Sequence, residues 1–278
     1  MRKIIVIIMV ISLADIYAQG VDTIKTNKWV PSFLVGFGIN QIAFSNWVKG
    51  GDNSISWTFL GDFHYDMIGP LWNFKNQIKA TYGRSKNGDG VYKTTDNDLY
   101  VENVLSYNVG WPVSPYFSNS IRTQISTGYD YRTTPAIPVA DFFDPGYVTQ
   151  TLGVTYDKYP HIVTRLGIGL QEVFTNIYRQ YSAPDNSKKA FQLETGIESV
   201  TDVNYTIDNN VIYTGKFRFF SQFKSMDVWD VRLDNIIAAK ISKYFSVNFS
   251  YLMIYEKAQS PYTQAKEGMQ IGITYNLL

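Results

Sequence analysis

Residues able to do acid–base or nucleophilic chemistry are few in this sequence. There are two histidines and no cysteines among 278 residues. A serine nucleophile needs a histidine and a carboxylate beside it. His64 lies inside a segment of alternating polarity and His161 in a tight turn, while the carboxylates of the long-loop rim are Asp141, Asp144 and Glu267. No histidine accompanies them there. Without cysteine there is no thiolate, no disulfide and no acyl anchor. Metal-ligand spacings and phosphate-cradling glycine loops are also missing. The sequence therefore points to no catalytic residue, no metal and no cofactor, and the expected protein is not an enzyme.

The charges offer a different chemistry. Lys75, Lys79, Arg122, Arg165, Lys216, Arg218 and Arg232 share one parity of alternating segments with Glu194, Glu198, Asp202 and Asp234, and with Glu102 and Lys240. The turn near Asp208 brings Glu194, Glu198 and Asp202 into cross-strand reach of Lys216 and Arg218. Such a ladder either selects and binds a solute, or pairs internally so that no charge stays uncompensated. The second is favoured, because narrow interiors are filled by side chains. No one-sign ring appears, so strong ion selectivity is not expected.

Strands must position these groups. Phe33, Val35, Phe37 and Ile39 alternate with smaller or polar residues, and the same period runs through Ile55–Tyr65 and Trp72–Tyr82. Further segments fall at about 96–111, 116–132, 147–157, 162–174, 190–207, 210–224, 228–241, 244–257 and 267–278, making twelve. Ordinary strands average five or six residues, whereas a tilted bilayer crossing needs about ten. The connections alternate between long (85–95, 133–146, 175–189, 258–266, with 46–52 of medium length) and short (67–70, 110–115, 158–161, 208–209, 242–243), with one exception at Ser225–Asp227. Long loops outside, short turns inside and both termini in the periplasm are the pattern of an outer-membrane barrel.

Aromatic placement agrees. Trp57, Trp72, Trp111, Trp229, Tyr65, Tyr82, Tyr107, Tyr129, Tyr255 and Tyr275 stand near strand ends on the apolar parity, as interfacial girdles do. The last segment, through Met269, Ile271, Ile273, Tyr275 and Leu277, has the amphipathic form read by barrel-insertion machinery. The sequence thus predicts an all-β, transmembrane, antiparallel up-and-down barrel of about twelve strands over residues 29–278. The loop Thr133–Gly146 stiffens on three prolines and carries Phe142 and Phe143, which either meet a partner or, as favoured, pack over the barrel mouth.

Residues 1–18 read as a signal peptide: Arg2 and Lys3, an apolar run to Leu13, and Ala18 at the cleavage position. Residues 19–28 form a polar periplasmic tail. Arg2, Lys3 and Asp15 leave with the leader, so basic and acidic residues then balance. That balance gives no basis for a nucleic-acid partner. Aromatics reach 16%, yet mean hydropathy is slightly negative. No apolar run after the leader is long enough for a membrane helix.

The run Asn46-Trp47-Val48-Lys49-Gly50-Gly51-Asp52-Asn53-Ser54-Ile55-Ser56 resembles the N-terminal signature of a Bacteroidota outer-membrane barrel family without an assigned function. Phe142–Tyr147, Asp230–Asn235 leading into Ile241–Val247, and the closing strand resemble further elements of it. The resemblance implies the same barrel and no particular activity. In physical terms, Gly50-Gly51 allows a tight reversal and Trp47 an interfacial anchor. Asp22-Thr23-Ile24 resembles a periplasmic O-glycosylation acceptor of that phylum. The expected partners are outer-membrane lipid and, during biogenesis, the insertion machinery. The expected function is passage of small polar solutes, with a non-conducting assembly subunit and an envelope lipid-processing enzyme as alternatives.

Overall fold

The computed structural model describes residues 27–45, 51–179, 189–242, 245–257 and 260–276. The leader, the tail up to residue 26 and the signature residues Asn46, Trp47 and Gly50 lie outside them. Fourteen strands are described: β1 Lys28–Ile42, β2 Ser54–Ile68, β3 Trp72–Asn87, β4 Lys93–Tyr107, β5 Ser114–Thr123, β6 Gly128–Asp130, β7 Ile137–Ala140, β8 Gly146–Tyr156, β9 Ile162–Phe174, β10 Phe191–Thr206, β11 Val211–Gln222, β12 Ser225–Lys240, β13 Phe245–Glu256 and β14 Gln264–Asn276. Twelve of them close an antiparallel barrel in chain order, and β6 and β7 form a separate two-stranded sheet. Closure joins β1 to β14 through the pairs Leu34↔Asn276 to Ile39↔Ile271. The start of β1 and the end of β14 therefore share one end of the barrel, here called the terminal end; the other is the long-loop end.

Alternation sorts the two faces. On β9, Leu166, Ile168 and Leu170 are exposed outward, while Arg165 and Gln171 are buried inward. Leu152, Phe217, Phe249 and Ile271 are exposed on the outside of other strands. Aromatic pairs border this apolar belt. Trp29 stacks on Tyr65 at 4.7 Å and Trp72 meets Tyr107 at 4.5 Å near the terminal end. Trp57–Tyr82 and Phe219–Trp229 pairs, at 6.0 and 6.1 Å, stand near the other. A closed barrel with a carbon exterior satisfies every ladder hydrogen bond internally, the condition for strands to cross lipid.

Five expectations from the sequence are corrected. The segment 116–132 is not one strand: β5 stops at Thr123. Asn97 explains the stop. Its Oδ1 accepts the backbone N–H groups of Ile125 and Ser126 at 2.9 and 3.0 Å, and its Nδ2 donates to the Ser126 carbonyl at 2.6 Å. One side chain on β4 thus takes the bonds a continuing ladder would use, and the chain leaves the barrel wall. Tyr129 consequently belongs to β6, beside Tyr131 at 6.0 Å, and not to a girdle. Trp111 lies in the β4–β5 turn. The loop expected over 85–95 is shorter, because β3 and β4 pair out to Ser85↔Lys93 across a register shift at Gly83/Arg84. The exceptional short connection is the two residues between Gln222 and Ser225, at the long-loop end.

The packed side of the interior lies along β4, β5 and β8 to β11. Phe220 is completely buried there. It fits because glycines face it: a Cβ on Gly196 would stand 3.0 Å from the Phe220 ring and 2.1 Å from the Ser221 carbonyl oxygen. Only glycine tolerates that approach.

Candidate functional site

The functional candidates are the side chains facing the lumen, and barrel closure brings together groups far apart in sequence. Glu102 on β4 is the hub. Its Oε1 accepts from Arg165 Nη2 of β9 at 2.9 Å, and its Oε2 from Lys216 Nζ of β11 at 2.5 Å. Asp202 on β10 contacts the same two cations, at 2.9 Å from Arg165 and 3.5 Å from Lys216. Lys216 also donates to the Tyr100 hydroxyl at 3.3 Å, and Arg122 stacks its guanidinium 4.4 Å from the Tyr100 ring centroid.

A second cluster adjoins it. Arg218 donates to Glu198 Oε1 at 2.7 Å and to Gln171 Oε1 at 2.7 Å. Thr151 donates to the other Glu198 oxygen at 2.5 Å. Glu194 pairs with no cation among the described residues; Gln171 and Gln192 donate to its two oxygens at 2.9 and 2.6 Å. A third group crosses the barrel: Arg232 of β12 holds Asp234 at 2.9 Å and reaches Asp98 of β4 at 3.9 Å, and Arg122 reaches the same Asp98 at 3.8 Å. Charges of opposite sign compensate one another here, most closely around the buried Glu102, Arg165 and Glu198.

The sequence-predicted residues therefore divide. Arg122, Arg165, Glu198, Asp202, Lys216, Arg218, Arg232 and Asp234 join ion pairs. Lys75 and Lys79 carry no ion pair among the described residues. Lys75 is exposed, whereas Lys79 faces a lumen cavity of about 1010 Å³. That cavity follows the looser wall of β12, β13, β14, β1 and β2, opposite the packed side. Its lining runs from Pro145 and Gln124 near the long-loop end to Lys240 and Ser242 near the terminal end. It includes Leu34, Leu60, Ile212, Ile236, Leu252 and Ile254, aliphatic residues on the lumen parity. Their place on a parity otherwise rich in polar groups hides them in the sequence. A strand with aliphatics on both parities is the signal that would have found them.

At the long-loop end, Phe143 lies 5.7 Å from Phe174, which lies 5.2 Å from Phe191, so Phe143 packs over strand ends; Phe142 is 60% exposed. Asp144 is buried, and its carboxylate accepts the backbone N–H groups of Asn176, Ile177 and Tyr178 at 2.8, 2.7 and 3.3 Å. It ties the β5–β8 loop to the β9–β10 loop. On the small hairpin, Arg132 chelates Asp130 at 2.6 Å and holds that carboxyl down to about 2. Among the signature residues described, Asn53 Oδ1 accepts the Phe44 N–H at 2.7 Å and Gly51 has φ of 122°. Both shape the first loop. His64 sits 3.1 Å from Asp62 inside the barrel, and His161 packs edge-on to Tyr205 at 5.3 Å in its turn.

Comparison with known structures finds similar barrels. An outer membrane channel from Pseudomonas putida F1 is 9% identical, with 94% of this chain and 99% of that one covered at a TM-score of 0.40. The translocator domain of the autotransporter NalP from Neisseria meningitidis is 8% identical, covering 90% and 88% at 0.37. The monoaromatic hydrocarbon channel CymD is 9% identical, covering 91% and 88% at 0.32. No curated protein matches the sequence. Residues 39–129, from the end of β1 through β5 into β6, match the model of the family described as "Protein of unknown function (DUF3078)".

Proposed function

We propose that this protein is a barrel of the outer membrane of a Gram-negative bacterium, and that small polar solutes pass along its lumen without chemical change. The observation that carries this is the cavity reaching from one end of the barrel to the other beside the ion-pair network. Both Asp230 and Lys240 of β12 line it. That is about 33 Å of strand at 3.3 Å per residue, or about 25 Å along the axis at a tilt of about 40°. A cavity of about 1010 Å³ along that length has room for small solutes. The near balance of charge along the lining favours neither cations nor anions strongly.

In this reading the long loops face outward and the termini face the periplasm. Lipid covers the apolar belt, and the insertion machinery recognises β14. Passage without chemical change draws on the long-loop rim, where the Asp144 carboxylate is taken up by the backbone N–H groups of Asn176, Ile177 and Tyr178. A second reading, a non-conducting barrel within a larger assembly, draws on the bridges across the lumen, Lys216–Glu102 and Arg232–Asp98.

Planar-bilayer recording separates the two. The channel reading expects a stable unit conductance that falls when Gly268, on the cavity wall, is replaced in Gly268→Trp. Conductance no higher than background from folded, inserted protein supports the assembly reading instead.

A further inference from the structure

The lumen has two chemically different walls. On one side are the ion pairs; on the other, half-buried aliphatic side chains border the cavity. The two meet at β1, β2 and β3. The register places Leu34 beside Asp62 and Asp62 beside Lys79, with Gly36 opposite Leu60. Gly36 contributes by what it lacks: a Cβ there would stand in ordinary contact with the Leu60 Cβ at 3.5 Å, and without it that face of Leu60 is left open to the cavity. Ile236 on β12 continues the carbon lining.

The charges on this lining are not equally available. Glu102, Glu198, Asp96, Asp98 and Asp234 each face a cation. Asp62 is held by Gln77 at 2.9 Å and His64 at 3.1 Å, and Glu256 accepts from Tyr147 at 3.1 Å. Lys79 lines the same cavity without an ion pair among the described residues. The two carboxylates that act on it, Asp62 and Asp234, are held by Gln77 and His64 and by Arg232. A cation so placed, one strand from an uncovered leucine, suits a ligand with an anionic head and an aliphatic tail.

We infer that the lumen holds a binding site for small anionic amphiphiles, the head at Lys79 and the tail along Leu34, Leu60 and the aliphatic wall. This rests on the proposed channel, and sets what that channel favours among the solutes small enough to enter. It departs from a purely polar pore, which would favour the smaller and more hydrophilic of two anions.

Equilibrium binding to the full barrel in lipid nanodiscs tests it, with empty nanodiscs as the blank and butanesulfonate and methanesulfonate as probes. Both keep their charge across the working pH range and differ only in chain length. The site predicts saturable binding of butanesulfonate about tenfold tighter than methanesulfonate, the gain from burying about half the surface of its three extra methylenes. The pair Leu34→Asn and Leu60→Asn should bring that ratio close to one, and Lys79→Gln should weaken both probes alike. Lys79→Gln carries no apolar loss, so it tests the head site even if the leucine pair fails to fold. Butanesulfonate binding no tighter than methanesulfonate in the wild-type barrel overturns the inference, even where the barrel conducts. Preferential binding in a barrel that does not conduct sustains the site and removes the channel.

Discussion

Replacing Glu102 by Gln is expected to lower folding stability in lipid by about 3 kcal/mol, toward the lower end of the cost of breaking a buried ion pair. Glu102 is 8% exposed and compensates Arg165 and Lys216 together. Both cations are taken from solvent, and Asp202 alone would then face the two of them. Asp202 moderates the loss but cannot offset two charges with one. Replacing the whole Lys216–Glu102 pair is a different matter, since a buried pair exchanged for groups of similar shape is often near neutral. Glu102→Gln combined with Lys216→Met should therefore recover most of what the single change loses. Urea unfolding in lipid, read by the gel-mobility difference between folded and unfolded barrel, gives both numbers. Equal stability of Glu102→Gln and wild type would mean that water, not pairing, solvates this network.

The second large effect concerns the opposite face. Ile168 sits at the centre of β9, 61% exposed, with Leu152 and Ile197 beside it in register. If lipid covers this belt, Ile168→Arg costs about 2–4 kcal/mol, the price of a guanidinium at the bilayer midplane. Leu71→Arg, in the turn between β2 and β3 and 51% exposed, should cost no more than about 1 kcal/mol, because the arginine reaches water there. The same titration, run on both variants, reads the depth dependence. An equal, small effect at both positions would contradict a lipid-covered belt.

Much of this architecture was legible in the sequence because the bilayer enforces a period of two over long stretches. Leu166, Ile168 and Leu170 announce the outer face of β9 without knowledge of any partner strand. Local pattern does not report long-range bonds, and the misreadings follow from that. The end of β5 is set by Asn97, whose side chain takes the ladder bonds of Ile125 and Ser126, 28 and 29 positions later. The adjacent-strand pairs were foreseeable from one hairpin: Asp202 with Lys216 and Glu198 with Arg218. The hub was not, because Glu102 meets Lys216 only when the sheet closes, with 114 positions between them. Glu194 shows the converse: it stands among the predicted charges yet is held by glutamines. The aliphatic lumen wall escaped notice because Leu34, Leu60 and Ile236 sit on a parity otherwise rich in polar groups.

A barrel with lipid on its outer face, a packed wall inside one half and a water-reached cavity along the other makes a direct prediction about accessibility. The chain has no cysteine, so single thiols can be placed without background. Three positions suffice: Ser250→Cys on the cavity wall, Phe249→Cys on the outer belt, and Thr151→Cys within the packed wall, where Thr151 is 1% exposed. Treatment of the inserted protein with a charged, membrane-impermeant methanethiosulfonate should label Ser250→Cys and leave the other two unmodified. Labelling of Phe249→Cys, or a Ser250→Cys that stays unlabelled in the folded barrel, would contradict the account.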